Sequence, residues 1–174
     1  MNRTLAALML ALSAGPAFSG SAQAQAHLSG TWQYQATQEE IAGRAASIRA
    51  ATEALPAFAR DHARARLNAR TAPAPQLSIS IVGSQLTLVR PERHVSLSIG
   101  GDAVEVEGDH GRGEVRADRQ VGDLRVVMRG ERGSLTAVYR LSDDGRRLVV
   151  SVRISAGPLA SPVVFQATYH RADA

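Results

Sequence analysis

Hydrophobic and polar residues alternate with a period of two along most of this chain after residue 75, in short runs separated by turn residues. This alternation predicts nine strands, preceded by one more over 28–36. We place the nine near 76–82, 85–90, 94–99, 103–107, 113–118, 123–129, 134–141, 147–154 and 163–171. About ten consecutive antiparallel strands with one apolar face bury it most simply by closing into an up-and-down barrel, and an open β-sandwich is the second choice. The fold class is therefore all-β.

The periodicity changes to that of a helix between the first strand and the rest. Thr37 and Glu40 have the spacing of a capping box, which predicts a helix beginning there. Pro56 interrupts the helical pattern, because proline has no amide hydrogen to donate inside a helix. We therefore expect two helices over 37–70, forming a helix-turn-helix insertion. They are predicted to pack across one open end of the barrel through Ile41, Ile48, Leu55 and Phe58.

The first 26 residues have the layout of a secretory signal peptide. Arg3 precedes an apolar run from Leu5 to Leu12, and small residues follow as far as Ala26. The run is too short to span a bilayer, which needs about 20 apolar residues. We predict cleavage after Ala26, or alternatively after Ala24, leaving 27–174 as a single domain. The expected location is the periplasm or the exterior of a bacterium.

The composition excludes two classes of protein. Without cysteine the chain has no disulfides, so its stability has to come from a hydrophobic core. Its 20 basic residues are all arginine and are interspersed with 16 acidic residues, while aromatic residues make up only 4%. A nucleic-acid-binding protein segregates its positive charge and adds aromatic residues for stacking, so we expect no nucleic-acid partner.

No catalytic or metal-binding motif stands out. The sequence has no G-x-S-x-G, no glycine-rich phosphate loop and no cysteine nucleophile. Asp109 and His110 lie in a glycine-bracketed loop, but two neighbouring residues are too few for a metal site. We expect no metal, no cofactor and no enzymatic activity. An enzyme would need an unrecognised site, such as His110 meeting Asp123 and a serine in one cleft.

The two ends of the mature chain resemble the calycins, the superfamily of lipocalins and fatty-acid-binding proteins. The residues concerned are Gly30-Thr31-Trp32 in the first strand and Tyr169-His170-Arg171 in the last. The resemblance implies that Arg171 covers Trp32 at the barrel floor. A helical pair after the first strand is similar to the fatty-acid-binding branch. In that branch an arginine two residues before the tyrosine helps to hold a carboxylate; here that residue is Ala167, so carboxylate binding is not carried over.

The apolar inner face and the helical insertion lead to a hypothesis of ligand binding. We expect an exported protein that holds a small apolar molecule in the barrel lumen, with the helical pair as a lid and the hydroxyls of Tyr139 and Tyr169 as inward polar groups. A structural or interaction protein of the cell envelope with a filled core is the alternative. The predicted ligand-binding residues are Leu97, Val126, Met128, Tyr139, Val150, Phe165 and Tyr169.

Overall fold

Ten strands and two helices make up the part of the chain that the structure describes. The computed structural model describes residues 28–91, 93–108 and 111–172, so the predicted leader and its cleavage site lie outside the described residues. The helices are α1 (Gln38–Thr52) and α2 (Ala57–Arg70). The strands are β1 (Gly30–Tyr34), β2 (Gln76–Val82), β3 (Gln85–Arg90), β4 (Arg93–Ser98), β5 (Val104–Gly108), β6 (Gly111–Gln120), β7 (Asp123–Gly130), β8 (Gly133–Leu141), β9 (Arg147–Ala156) and β10 (Val163–Arg171).

All ten strands belong to one antiparallel sheet in the order β4-β3-β2-β1-β10-β9-β8-β7-β6-β5. β1 therefore lies between β2 and β10 and joins the two ends of the described chain. The other side is closed only in part: a bridge joins Ile99, after β4, to Ala117 in β6, and the Gly100 amide donates to the Ala117 carbonyl at 2.8 Å. The predicted barrel is confirmed as a nearly closed one. The alternative of an open sandwich is wrong, because one continuous sheet wraps around a shared core.

The strand boundaries agree with the alternation to within a few residues. The first strand is shorter than predicted, covering Gly30–Tyr34 instead of 28–36. Ile99 lies just outside β4 and makes the closing bridge instead of a ladder pair with β3. The inward positions of β10 are all buried, with Val163, Phe165, Ala167 and Tyr169 no more than 8% exposed, whereas Val164 between them is 48% exposed. The inner face of the barrel is thus the face that the alternation indicated.

The capping box is present at the start of α1. The Glu40 amide donates to Thr37 Oγ1 at 3.1 Å, and the Thr37 amide donates to Glu40 Oε2 at 3.4 Å. α1 then runs along the part of β10 that β1 leaves unpaired. The Val164 amide donates to Ser47 Oγ at 2.8 Å, and Thr168 Oγ1 donates to Glu40 Oε1. These contacts fix α1 to the edge of β10.

Only part of the predicted helix packing is observed. Ile48, 1% exposed, packs with Ala51 against Val163 and Phe165. The prediction is wrong for Ile41 and Phe58, which are 43% and 90% exposed. Ile41 lies in the first turn of α1, where the contacts with the barrel are polar, and no residue of α2 is buried. α1 therefore packs along β10 at one end of the barrel, while α2 lies against α1. Leu55, between the two helices, is partly buried.

Candidate ligand site inside the barrel

Trp32 fills the floor of the barrel. Its side chain is fully buried, and its Nε1 donates to the Leu28 carbonyl at 3.1 Å. The Arg171 guanidinium carbon lies 4.3 Å from the centre of the indole ring, and Arg171 Nη1 also donates to the Ser29 carbonyl at 3.0 Å. Gly30 has a φ of +145°, and a Cβ there would lie 2.5 Å from Arg171 Nη1. The stacking of Arg171 on Trp32 is confirmed, and it is a structural feature of the floor.

The seven predicted ligand-binding residues belong to the inner face of the barrel. Six of them are buried, at exposures from 1% for Tyr139 to 8% for Phe165, and Met128 is half-buried. Around the floor, Trp32, Leu124 and Leu148 are at most 2% exposed and fill the space between the walls. Contact of the seven with a ligand stays a prediction, since no ligand is present. The floor half of the barrel is a packed core.

Arg90 is the inward polar residue that the sequence reasoning missed. It ends β3, two residues after the buried Leu88, and so lies on the same inner face of that strand. Its Nη2 donates to Tyr139 Oη at 3.3 Å. Because β3 and β8 are five strands apart in the sheet order, this hydrogen bond crosses the interior. The signal was available, since Arg90 ends the strand predicted over 85–90 and continues the alternation of Leu86 and Leu88.

The three tyrosines of the protein lie close to one another, and Arg90 acts on two of them, Tyr139 and Tyr169. The rings of Tyr34 and Tyr169 lie 5.5 Å apart, and the charge of Arg90 acts on the Tyr169 hydroxyl. Burial raises the pKa of Tyr169 to about 12; Tyr139 and Tyr34 add to this effect and Arg90 opposes it. Burial, followed by the charge of Glu40, also raises the pKa of Tyr34, whereas Arg44 lowers it. The guanidinium of Arg90 and the hydroxyls of Tyr139 and Tyr169 are therefore a group of potential hydrogen-bond donors, which suits an anionic oxygen.

The inner wall is open to solvent at the end where the helices lie. Arg90 is exposed although its guanidinium reaches Tyr139, so solvent enters the interior as far as this arginine. Five apolar side chains on other strands are partly exposed and pack against the core. We call them the mouth residues: Val95, Val106, Met128, Leu135 and Val152.

Two cavities lie outside the barrel, and none of the seven predicted ligand-binding residues lines either of them. One, of about 370 Å³, adjoins the β8–β9 turn, and the other, of about 490 Å³, lies between α2 and the loop before β10. The position of Arg90 in the interior, and not a cavity, is therefore what identifies the candidate site.

Asp123, which the enzyme alternative paired with His110, instead accepts a hydrogen bond from Arg140 Nε at 3.0 Å on the outer face. Asp109 and His110 lie outside the described residues. Among 28–91, 93–108 and 111–172, no group of three or more histidine or acidic side chains could hold a metal ion. Within the same ranges, no helix has the length and hydrophobicity needed to cross a membrane.

No family model matches the sequence and no curated protein matches it significantly, but solved structures share its fold. One is a secretory abundant heat soluble protein from Ramazzottius varieornatus, with a TM-score of 0.54, 11% identity, and coverage of 84% of this chain and 96% of that one. The chain has a calycin-like barrel fold. A fatty acid binding protein of Schistosoma mansoni in complex with arachidonic acid has a TM-score of 0.51, 10% identity, and coverage of 86% and 99%. Fatty-acid-binding protein 1 of Echinococcus granulosus has a TM-score of 0.50, 12% identity, and coverage of 85% and 99%.

Proposed function

We propose that this protein binds a small apolar molecule with one anionic group in the helix-end half of its barrel. The observation that carries the proposal is Arg90, an arginine on an otherwise apolar inner wall that reaches Tyr139 across the interior. Two of the proteins with this fold, from S. mansoni and E. granulosus, are fatty-acid-binding proteins, which supports a ligand of this kind.

Arg90 and the tyrosines hold the anionic end of the ligand in this proposal. Arg90 is exposed to solvent and donates to the Tyr139 hydroxyl through Nη2, so its guanidinium has further N–H groups that could donate to an anion. A carboxylate or sulfonate beside Tyr139 would accept from the guanidinium and from a phenol at once. Such charge-assisted hydrogen bonds are about twice as strong as those between neutral groups.

The mouth residues hold the apolar part of the ligand. Met128, Leu135 and Val152 are partly exposed at the helix end, and covering them would remove apolar surface from water. Phe165 and Ile48, the latter on α1, pack beside Val152. The ligand therefore occupies the space above Arg90, while the floor around Trp32 stays a packed core.

We also propose that the protein is exported and acts outside the cytoplasm. The support is the layout of residues 1–26, with one arginine, one apolar run and a small-x-small site ending at Ala26.

A second candidate function is that of an interaction protein with a filled barrel, and the fully buried floor favours it.

Titration with 8-anilinonaphthalene-1-sulfonate, an apolar anion whose fluorescence rises in apolar surroundings, tests the proposed site. The wild type should bind it with enhanced fluorescence. Arg90→Met keeps the apolar stem of the side chain and removes its charge, and it should weaken binding by about tenfold or more, since a hydrogen bond to a charged group contributes about 1.5–3 kcal/mol. Met128→Trp should also reduce binding, by filling the mouth.

Arg125→Met is the matched control, because Arg125 lies on β7 between two inward residues, Leu124 and Val126, and so faces outward. It should bind the probe as the wild type does. An uncharged apolar probe such as N-phenyl-1-naphthylamine should lose little affinity in Arg90→Met. If Arg90→Met and Met128→Trp both bind the anionic probe like the wild type, the site is not in the barrel, and the interaction-protein alternative takes its place.

A further inference from the structure

The groove of about 490 Å³ beside α2 is mainly apolar and has basic residues along one edge. One wall is α2 with the end of the α1–α2 connection, and the other is formed by Ala156, Pro158 and Leu159. Eight of the eleven lining residues are apolar, and the other three are His62, Arg66 and Arg70. No acidic residue lines the groove. It is an apolar trough with a basic edge.

The basic edge follows from the spacing of residues along α2. Phe58, His62, Arg66 and Arg70 recur every four residues, which places them on one stripe of the helix, and all four are exposed. Phe58 is 90% exposed, more than any other phenylalanine, leucine or isoleucine that the structure describes.

The acidic groups near α2 lie on its other side. Arg64 pairs with Glu53 at 3.3 Å and with Asp61 at 3.7 Å, facing α1. Arg64 is thus paired with acidic side chains on the α1 side, whereas Arg66 lies beside a groove whose lining has no acidic residue. This separation of charge fits an acidic partner on the groove side.

We propose that this groove binds an acidic amphipathic helix of a partner protein. The apolar face of the partner helix lies on Ala59, Ala63 and Leu67, which are partly buried along the trough, and Phe58 packs at one end. Acidic side chains four residues apart on the partner pair with the stripe that contains His62 and Arg66. The wall of Pro158 and Leu159 makes the site concave, which suits a helix better than a flat lipid surface.

Fluorescence anisotropy with two labelled peptides tests this proposal on the whole protein. Both are as long as the 14 residues of α2 and have leucines along one face; one has glutamates and the other lysines beside the leucines. The glutamate peptide should bind the wild type, and the lysine peptide should not. Arg66→Glu should weaken the glutamate peptide by about tenfold and should create binding of the lysine peptide. Phe58→Ser should weaken the glutamate peptide without changing the preference for its charge.

Arg146→Glu makes the same change of charge at the opposite end of the barrel, where Arg146 is exposed, and it should bind both peptides like the wild type. Circular dichroism of each variant checks that the fold is retained. Equal binding of both peptides by the wild type, or no effect of Arg66→Glu, overturns the proposal. Binding to vesicles of phosphatidylglycerol and phosphatidylcholine with no binding of the glutamate peptide also overturns it, and assigns the stripe to a lipid surface.

Discussion

Replacing Ile48 by alanine measures how firmly α1 is held on the barrel. Ile48 is 1% exposed between α1 and β10, in a small cluster with Ala51, Val163 and Phe165 that is separate from the main core. Truncating a buried isoleucine to alanine costs about 2–5 kcal/mol, depending on how far the surroundings collapse. Alanine's higher helix propensity returns at most about 0.7 kcal/mol. We therefore expect Ile48→Ala to lose about 2–4 kcal/mol of the free energy of unfolding.

Ile41→Ala is the matched control, because it makes the same truncation on the same helix at a residue that is 43% exposed. Its effect should stay within about 0.5 kcal/mol. Urea unfolding gives the free energy of unfolding of each variant. It is followed by circular dichroism and by the fluorescence of Trp32, the only tryptophan of the protein. Trp32 lies at the floor, away from Ile48, so coincident transitions would show that the helices and the barrel unfold together. Equal stabilities of the two variants would refute the packing of α1 on β10.

Three other results follow from the structure. Arg171→Met should lower the free energy of unfolding by about 0.5–2 kcal/mol and shift the emission of Trp32, because it removes the cation–π contact; an unchanged emission would contradict the stacking. Tyr169 should ionise near pH 12, against 10.0 for a free tyrosine. Its contribution to stability is complete below pH 10 and is lost as the pH rises through 12. In Tyr169→Phe the near-ultraviolet absorbance of tyrosinate should lose the increment near pH 12. N-terminal sequencing of the exported protein should begin at His27, and recovery of intact Met1 would contradict cleavage.

The barrel could be predicted from the sequence because its signal is local and repeated. Each strand has its own alternation, and each turn has its own glycine or aspartate, so errors at one boundary do not affect the next. The helices were predictable for the same reason, from the capping box of Thr37 and Glu40 and from Pro56. The stacking of Arg171 on Trp32 required the resemblance to a known fold, since nothing local connects two residues at opposite ends of the chain.

The polar part of the candidate site could not be predicted in this way. Arg90 and Tyr139 are on strands that never pair, and their contact depends on the curvature of the whole sheet and on the reach of an arginine side chain. The exposure of Phe58 was missed for a related reason. An apolar residue in a helix is expected to face a core, but α2 packs beside α1 and buries none of its own residues.

The place of β1 between β2 and β10 determines when this molecule can complete its fold. Arg171 donates to the Ser29 carbonyl across 142 positions of sequence, and β1 pairs with β10 through residues as far apart as Trp32 and Arg171. A chain growing from its N-terminus can form the hairpins from β2 onwards as they appear, but its first strand has one unpaired edge until the last strand has been made. Closure is then a late, long-range event with a high entropic cost. Deletions at the C-terminus should therefore trap an open sheet with two free edges, a form prone to aggregation.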